Sequence, residues 1–91
     1  MALSPAMKKY LELKAQYPDC VVFYRLGDFY EIFFDDAKKV SAAIGLTLTG
    51  RSCGLEEKAP MCGVPYHAAN LYIKKLVELG YKIAIAEQLE E

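Results

Sequence analysis

Residues able to do chemistry concentrate between Phe23 and Asp36, in the run FYRLGDFYEIFFDD. That run threads Asp28, Glu31, Asp35 and Asp36 through six of the chain's eleven aromatics. Hard cations take carboxylate oxygens, so the acidic set is a candidate Mg²⁺ site for a metal-dependent nuclease. Against that, Asp35 and Asp36 are accounted for by the positive N-terminal end of a helix starting there, and no lysine lies among the four. Cys62 and His67 could pair as nucleophile and base, but Pro65 stands between them and nothing orients the imidazole. Cys53, Cys62 and His67 do not fall at zinc-site spacing. The phosphate-loop pattern GxxxxGK[ST] is missing, which argues against nucleotide hydrolysis by this chain. No catalytic residue and no metal ligand is assigned.

Phe29 and Glu31 pose a different question. In an extended chain side chains alternate, so Phe29 and Glu31 project together while Tyr30 and Ile32 face the other way. In a helix Asp28 would be an N-cap with Glu31 completing a capping box, and the glutamate would need no function. A separate helix start at Asp35 and Asp36 favours the extended reading. A phenylalanine displayed there can wedge between base steps and kink a duplex, at an unstacking cost of about a few kcal/mol. A mispaired base stacks less well, so the cost falls and the wedge discriminates without reading sequence. A neighbouring carboxylate accepts a hydrogen bond from an exocyclic amine, or donates to a ring nitrogen once protonated. The same residues fit a protein-interaction surface, with Phe29 and Met61 as apolar contacts.

The elements that must position these residues can be read in order. Ser4 and Pro5 start a helix that ends near Tyr17, ahead of Pro18. Cys20 to Leu26 is β-rich, Gly27 allows a kink or bulge, and the chain resumes as Phe29 to Phe33. A second helix spans Asp35 to Ile44 with Gly45 as its stop. Leu46 to Thr49 reads as a strand with both leucines inward, and Gly50 to Lys58 as a mobile loop. The prolines of Ala59 to Pro65 exclude that stretch from mid-sheet and place Met61 in an edge or surface loop. Tyr66 to Leu79 is a third helix, with Leu71, Leu76, Val77 and Leu79 available for packing. Tyr81 to Ala86 closes as a strand whose alanine face invites close helix packing. The sum is one α/β domain over residues 1–91, a small mixed β-sheet flanked by about three helices.

Composition bounds the rest. A net charge of −1 lacks the basic footprint of a strong nucleic-acid binder, so any DNA contact uses few phosphates or belongs to something larger. Three cysteines, an odd number, read as free thiols in a reducing compartment. No apolar run is long enough for a membrane span, and no secretory leader is expected.

Four blocks, FYRLGDFYEIFFDDA, LTLTGR, APMCGVPYHA and KIAIAEQ, closely resemble the N-terminal mismatch-recognition domain of bacterial MutS DNA mismatch-repair proteins. The resemblance runs from about Met7 to Gln88 with the blocks in the family's order. It implies that Phe29 stacks on the mispaired base from the minor-groove side and that Glu31 hydrogen-bonds that base. Asp28 would hold the turn, Arg51 would reach the DNA backbone near the kink, and Met61 would lie beside the wedge. Pro60, Gly63, Pro65 and Tyr66 would shape their loop, and His67 would be structural. Gly50 stands where the family often carries a basic residue, and Cys62 where a small alanine is common. The resemblance further implies a non-catalytic piece of a larger protein, needing no cofactor itself. The intact protein would bind ATP and Mg²⁺, form a homodimer on mismatched double-stranded DNA, partner a MutL-type repair protein, and work in the bacterial cytoplasm near the nucleoid, away from membranes.

Overall fold

A computed structural model describes residues 3–51 and 58–87. Five strands form one mixed sheet in the order β3-β4-β2-β1-β5, so the α/β reading holds. Helix α1 (Pro5–Gln16) opens as its sequence requires, with the Ser4 hydroxyl accepting from the Met7 N–H and proline in the first turn. Strand β1 (Cys20–Leu26) then pairs antiparallel with β2 (Phe29–Phe33), Leu26 lying opposite Phe29. The connection is thus a two-residue hairpin turn rather than a kink or bulge. Gly27 takes a φ of 63°, the positive value a tight hairpin demands at its first central residue.

Phe33 ends β2, and Phe34 enters α2 (Phe34–Ile44) with a φ of 55°. A bulky residue in that region costs on the order of 1–3 kcal/mol. It folds the chain sharply from sheet to helix and sets Phe34 beside Tyr10 and Phe33. Gly45 ends α2 in the left-handed conformation, its N–H bonded to the Ser41 carbonyl.

Strand β3 is Thr49–Arg51 rather than Leu46 to Thr49. Leu46 still packs against the core, but Leu48 is exposed. The expected loop from Gly50 therefore begins inside a strand, and residues 52–57 lie outside the described part. Ala59–Pro65 is no surface loop: it is β4, lying between β3 and β2. The reason its prolines are tolerated is local. Strand β3 pairs with Ala59 to Met61 and β2 with Met61 to Pro65, so the two neighbours overlap only at Met61. Pro60 thus has a ladder partner on the β3 side alone and Pro65 on the β2 side alone. Each proline sits where the strand is locally an edge.

A short 3₁₀ turn (Tyr66–Ala68) leads into α3 (Ala69–Glu78), and β5 (Lys82–Ala86) adds parallel to β1. Of the four residues expected to pack from the third helix, only Leu76 is buried; Leu71, Val77 and Leu79 are exposed. Ala69 is buried as well, and Tyr72 and Ile73 lean against the core to complete the inner face.

The pleat divides the core in two. On one face Val21, Phe23, Tyr30, Ile32, Cys62 and Val64 pack against α2 and α3. On the other, Val22, Phe33 and Ala59 pack with Met7 and Tyr10 of α1, and Ala84 of β5 joins them. The small residue under α1 fits the close approach expected of that alanine face. Burying Met7 and Tyr10 stabilises this docking by about 1.5–3 kcal/mol each.

Candidate nucleic-acid interface

Helix α1 covers one end of its sheet face and leaves the other end open. There β1, β2 and β4 lie side by side, with Leu26 opposite Phe29, Tyr24 opposite Glu31, and Pro65 and Gly63 opposite Phe29 and Glu31 on the far side. Phe29 is 47% exposed, while Tyr30 and Ile32, on the opposite face, are buried. The extended reading of FYEIF therefore holds, and Phe29, Glu31 and Phe33 share one face. Phe33 is the buried end of that row, Glu31 half-buried, and Phe29 the open end.

At Gly63 an added Cβ would lie 3.8 Å from the Phe29 ring and 4.0 Å from the Met61 methyl, ordinary contact distances, so both side chains pack over the backbone of this residue. Met61, opposite Phe33, is half-buried and forms the floor beside the phenylalanine. Burial pushes the Tyr24 phenol, the cross-strand neighbour of Glu31, up from its ordinary value.

Asp28 is exposed at the hairpin tip, and its main-chain carbonyl accepts from the Tyr66 N–H at 2.7 Å. The turn is thus held through the backbone of Asp28. Arg51 is not brought to this group. Its main chain pairs with Ala59, six residues along β4 from Pro65, which places it about 20 Å from the level of Phe29 at the usual rise per residue. Its side chain lies outside the described part.

Behind the tip, on the α3 side of the sheet, Arg25 Nε donates to the Gly27 carbonyl at 2.7 Å. Its guanidinium lies 3.5 Å from the centre of the Tyr66 ring and 3.3 Å from the Glu87 carboxylate. Tyr30 donates its hydroxyl to the same carboxylate. Burial first, and then Glu87, push the Tyr30 phenol up to about 12. Sequence reasoning passed over Arg25 and Glu87, whose sixty-two-residue separation gives no local signal.

The acidic set does not converge. Asp28 sits at one end of β2 and Asp35 and Asp36 at the other, and no group of three or more metal-ligating side chains clusters among the described residues. Asp36 is buried and committed elsewhere: it accepts from Lys14 at 3.0 Å, from the Val22 N–H at 3.2 Å and from Tyr10 at 3.4 Å. It ties α1 and β1 to α2, a role that its helix-start position did not disclose. Cys62 is fully buried, its thiol near the Ala37 carbonyl and pushed up to about 11 by burial. That fits a packing residue and no nucleophile. No helix among the described residues is long and apolar enough to cross a membrane.

An open sheet face that carries an exposed aromatic beside a carboxylate has the make-up of a binding surface. The family profile of MutS domain I matches residues 4–91. The DNA mismatch repair protein MutS of Clostridium botulinum (strain 657 / Type Ba4) is 66% identical over 91 residues, covering 100% of this chain and 10% of that protein. The protein of the same name from Clostridioides difficile (strain 630) is 64% identical over 89 residues, covering 98% of this chain and 9% of that protein. The chain belongs to the MutS domain I family. It spans about a tenth of the length of these relatives.

Proposed function

We propose that this domain senses mispaired bases in double-stranded DNA by inserting Phe29 at the mispair while Glu31 hydrogen-bonds the displaced base. The observation that carries the reading is the half-exposed Phe29 on an open sheet face, with Glu31 beside it on the same face. A lone phenylalanine at 47% exposure gains little for folding, yet it is propped by Gly63 and Met61 and held at the end of a clamped hairpin. Its ring stands clear for stacking. Insertion requires unstacking a base step, and a mispair lowers that cost, so selectivity arises from deformability rather than from base identity. Glu31 lies one pleat behind, within reach of the edge of a base pushed by the ring, and repels phosphate from the same spot.

A chain of net charge −1 releases few counterions on binding. Affinity would come from other parts of the parent protein, with this domain supplying discrimination. Arg51 adds a backbone contact away from the wedge, Asp28 keeps the tip in register, and Met61 lines the groove beside the ring. The name of the relatives, DNA mismatch repair protein MutS, supports a parent that works in mismatch repair. We further propose for that parent ATP and Mg²⁺ binding through domains beyond this one, action as a homodimer with a MutL-type partner, and a cytoplasmic setting.

The test is Phe29→Ala in the full-length parent, with fluorescence anisotropy on matched and single-mismatch duplexes. Base–aromatic stacking is worth about 1–3 kcal/mol per base, so mismatch preference should fall roughly 5- to 150-fold with matched binding retained. Unchanged preference would refute the assignment.

A further inference from the structure

We infer that Arg25 is a positioning residue for mismatch sensing, gripping the hairpin tip from the sheet face opposite Phe29 so that the wedge does not recoil on insertion. This rests on the reading of Phe29 given above. Both carbonyls of the Gly27-Asp28 turn are engaged, one by the Arg25 side chain and one by the backbone that follows β4. Gly27 accepts from Arg25 Nε at 2.7 Å and Asp28 from the Tyr66 N–H at 2.7 Å. These two grips are fastened to each other, because the Arg25 guanidinium stacks 3.5 Å over the Tyr66 ring. Glu87 then fixes the assembly to the end of the β5 strand, taking Arg25 at 3.3 Å and the Tyr30 hydroxyl. Phe29 follows the turn directly, and its ladder partner Pro65 directly precedes Tyr66. Displacement of the ring toward the sheet would therefore strain the turn and the Arg25–Tyr66 stack together.

The arrangement needs a planar guanidinium. One edge donates to a carbonyl, another meets a carboxylate, and the flat face covers an aromatic ring. Lysine supplies the charge alone. Arg25 pairs with Tyr30 across the hairpin, and side chains of paired residues share a face, so it points away from the face that presents Phe29. Its influence on DNA is exerted through the position of the ring.

The experiment uses the full-length parent with Arg25→Ala, Arg25→Lys, Phe29→Ala and the Arg25→Ala/Phe29→Ala double variant. Anisotropy on matched and mismatched duplexes is measured across a salt series. Residues remote from a ligand modulate binding through a neighbour by about 2- to 30-fold. We expect both Arg25 variants to lose mismatch preference within that range, with matched binding and salt slope unchanged. The double variant should match Phe29→Ala alone. Preference restored by lysine would overturn the inference, since a point charge would then suffice. So would additive losses in the double variant, or a salt slope reduced by about one, which marks a direct phosphate contact. If Phe29→Ala changes preference and the Arg25 variants do not, this inference alone fails; if Phe29→Ala has no effect, the reading beneath it fails as well. Should Arg25→Ala not fold, Arg25→Lys and Glu87→Gln carry the same comparison.

Discussion

Replacing Asp36 tests how α1 is fastened beside the open face. In Asp36→Ala three donors lose their acceptor, with unequal consequences. Tyr10 retains the Phe33 carbonyl at 3.1 Å, and Lys14 retains the Cys20 carbonyl at 2.7 Å and reaches water. The buried Val22 N–H loses its carboxylate acceptor, at a cost of about 1–3 kcal/mol. Adding the lost ion pair, discounted because Lys14 is partly solvated, the total comes to about 2–4 kcal/mol. That is a large share of the 5–15 kcal/mol typical of a domain. Asp36→Asn can turn its carbonyl oxygen toward Val22 and Tyr10, presenting its amide to Lys14, and should cost only about 1–2 kcal/mol. Urea denaturation of the chain measures both, and hydrogen exchange at the Val22 amide reports the orphaned donor directly. An alanine variant within about 0.5 kcal/mol of wild type, or one with undiminished Val22 protection, would refute the reasoning.

Further outcomes follow from other contacts. Phe29→Ala should leave folding nearly intact, losing less than about 1.5 kcal/mol in thermal melting, because the ring is already half exposed. A larger loss would mark Phe29 as a core residue. Gly63→Ala places its methyl in ordinary contact with the ring and should be tolerated, whereas Gly63→Leu should displace the ring and reduce mismatch preference in the parent without unfolding it. Cys62, raised by burial from 9.0 to about 11, favours the folded state fully below pH 9 and loses that contribution as pH rises toward 11. Alkaline denaturation followed by circular dichroism should therefore begin near pH 9, and Cys62→Ala should remove this early phase. A thiol-alkylating reagent at pH 8 should spare Cys62 until urea is added.

Local chemistry made much of this architecture legible. Ser4-Pro5 sets the start of α1, the bounds of β1 follow from its β-branched and aromatic run, and period-two alternation puts Phe29 beside Glu31. What could not be read depends on partners distant along the chain. Two prolines argued β4 out of the sheet, because sequence alone does not show that its two neighbours pair with different halves of it. Asp36 looked like a helix-start charge, since Lys14 and Val22 reach it from an earlier helix and strand. Leu71, Val77 and Leu79 are apolar enough for a core, but a ten-residue helix against one sheet has room for a single stripe. Arg25 and Glu87 meet only because β5 lies beside β1.

The place of β2 in the strand order has a mechanical consequence. It is the third of five strands and has ladder partners on both sides. A load on Phe29 directed along the strand is therefore carried in shear, by bonds to β1 and to β4 that must yield together rather than peel in succession. An aromatic on an outer strand would sit on a compliant mount, and part of the work of opening a base step would dissipate in bending the protein. On the proposed reading the sheet would be the stiffer member and the duplex the softer one, so the deformation would fall on the DNA, where mispaired and paired steps differ.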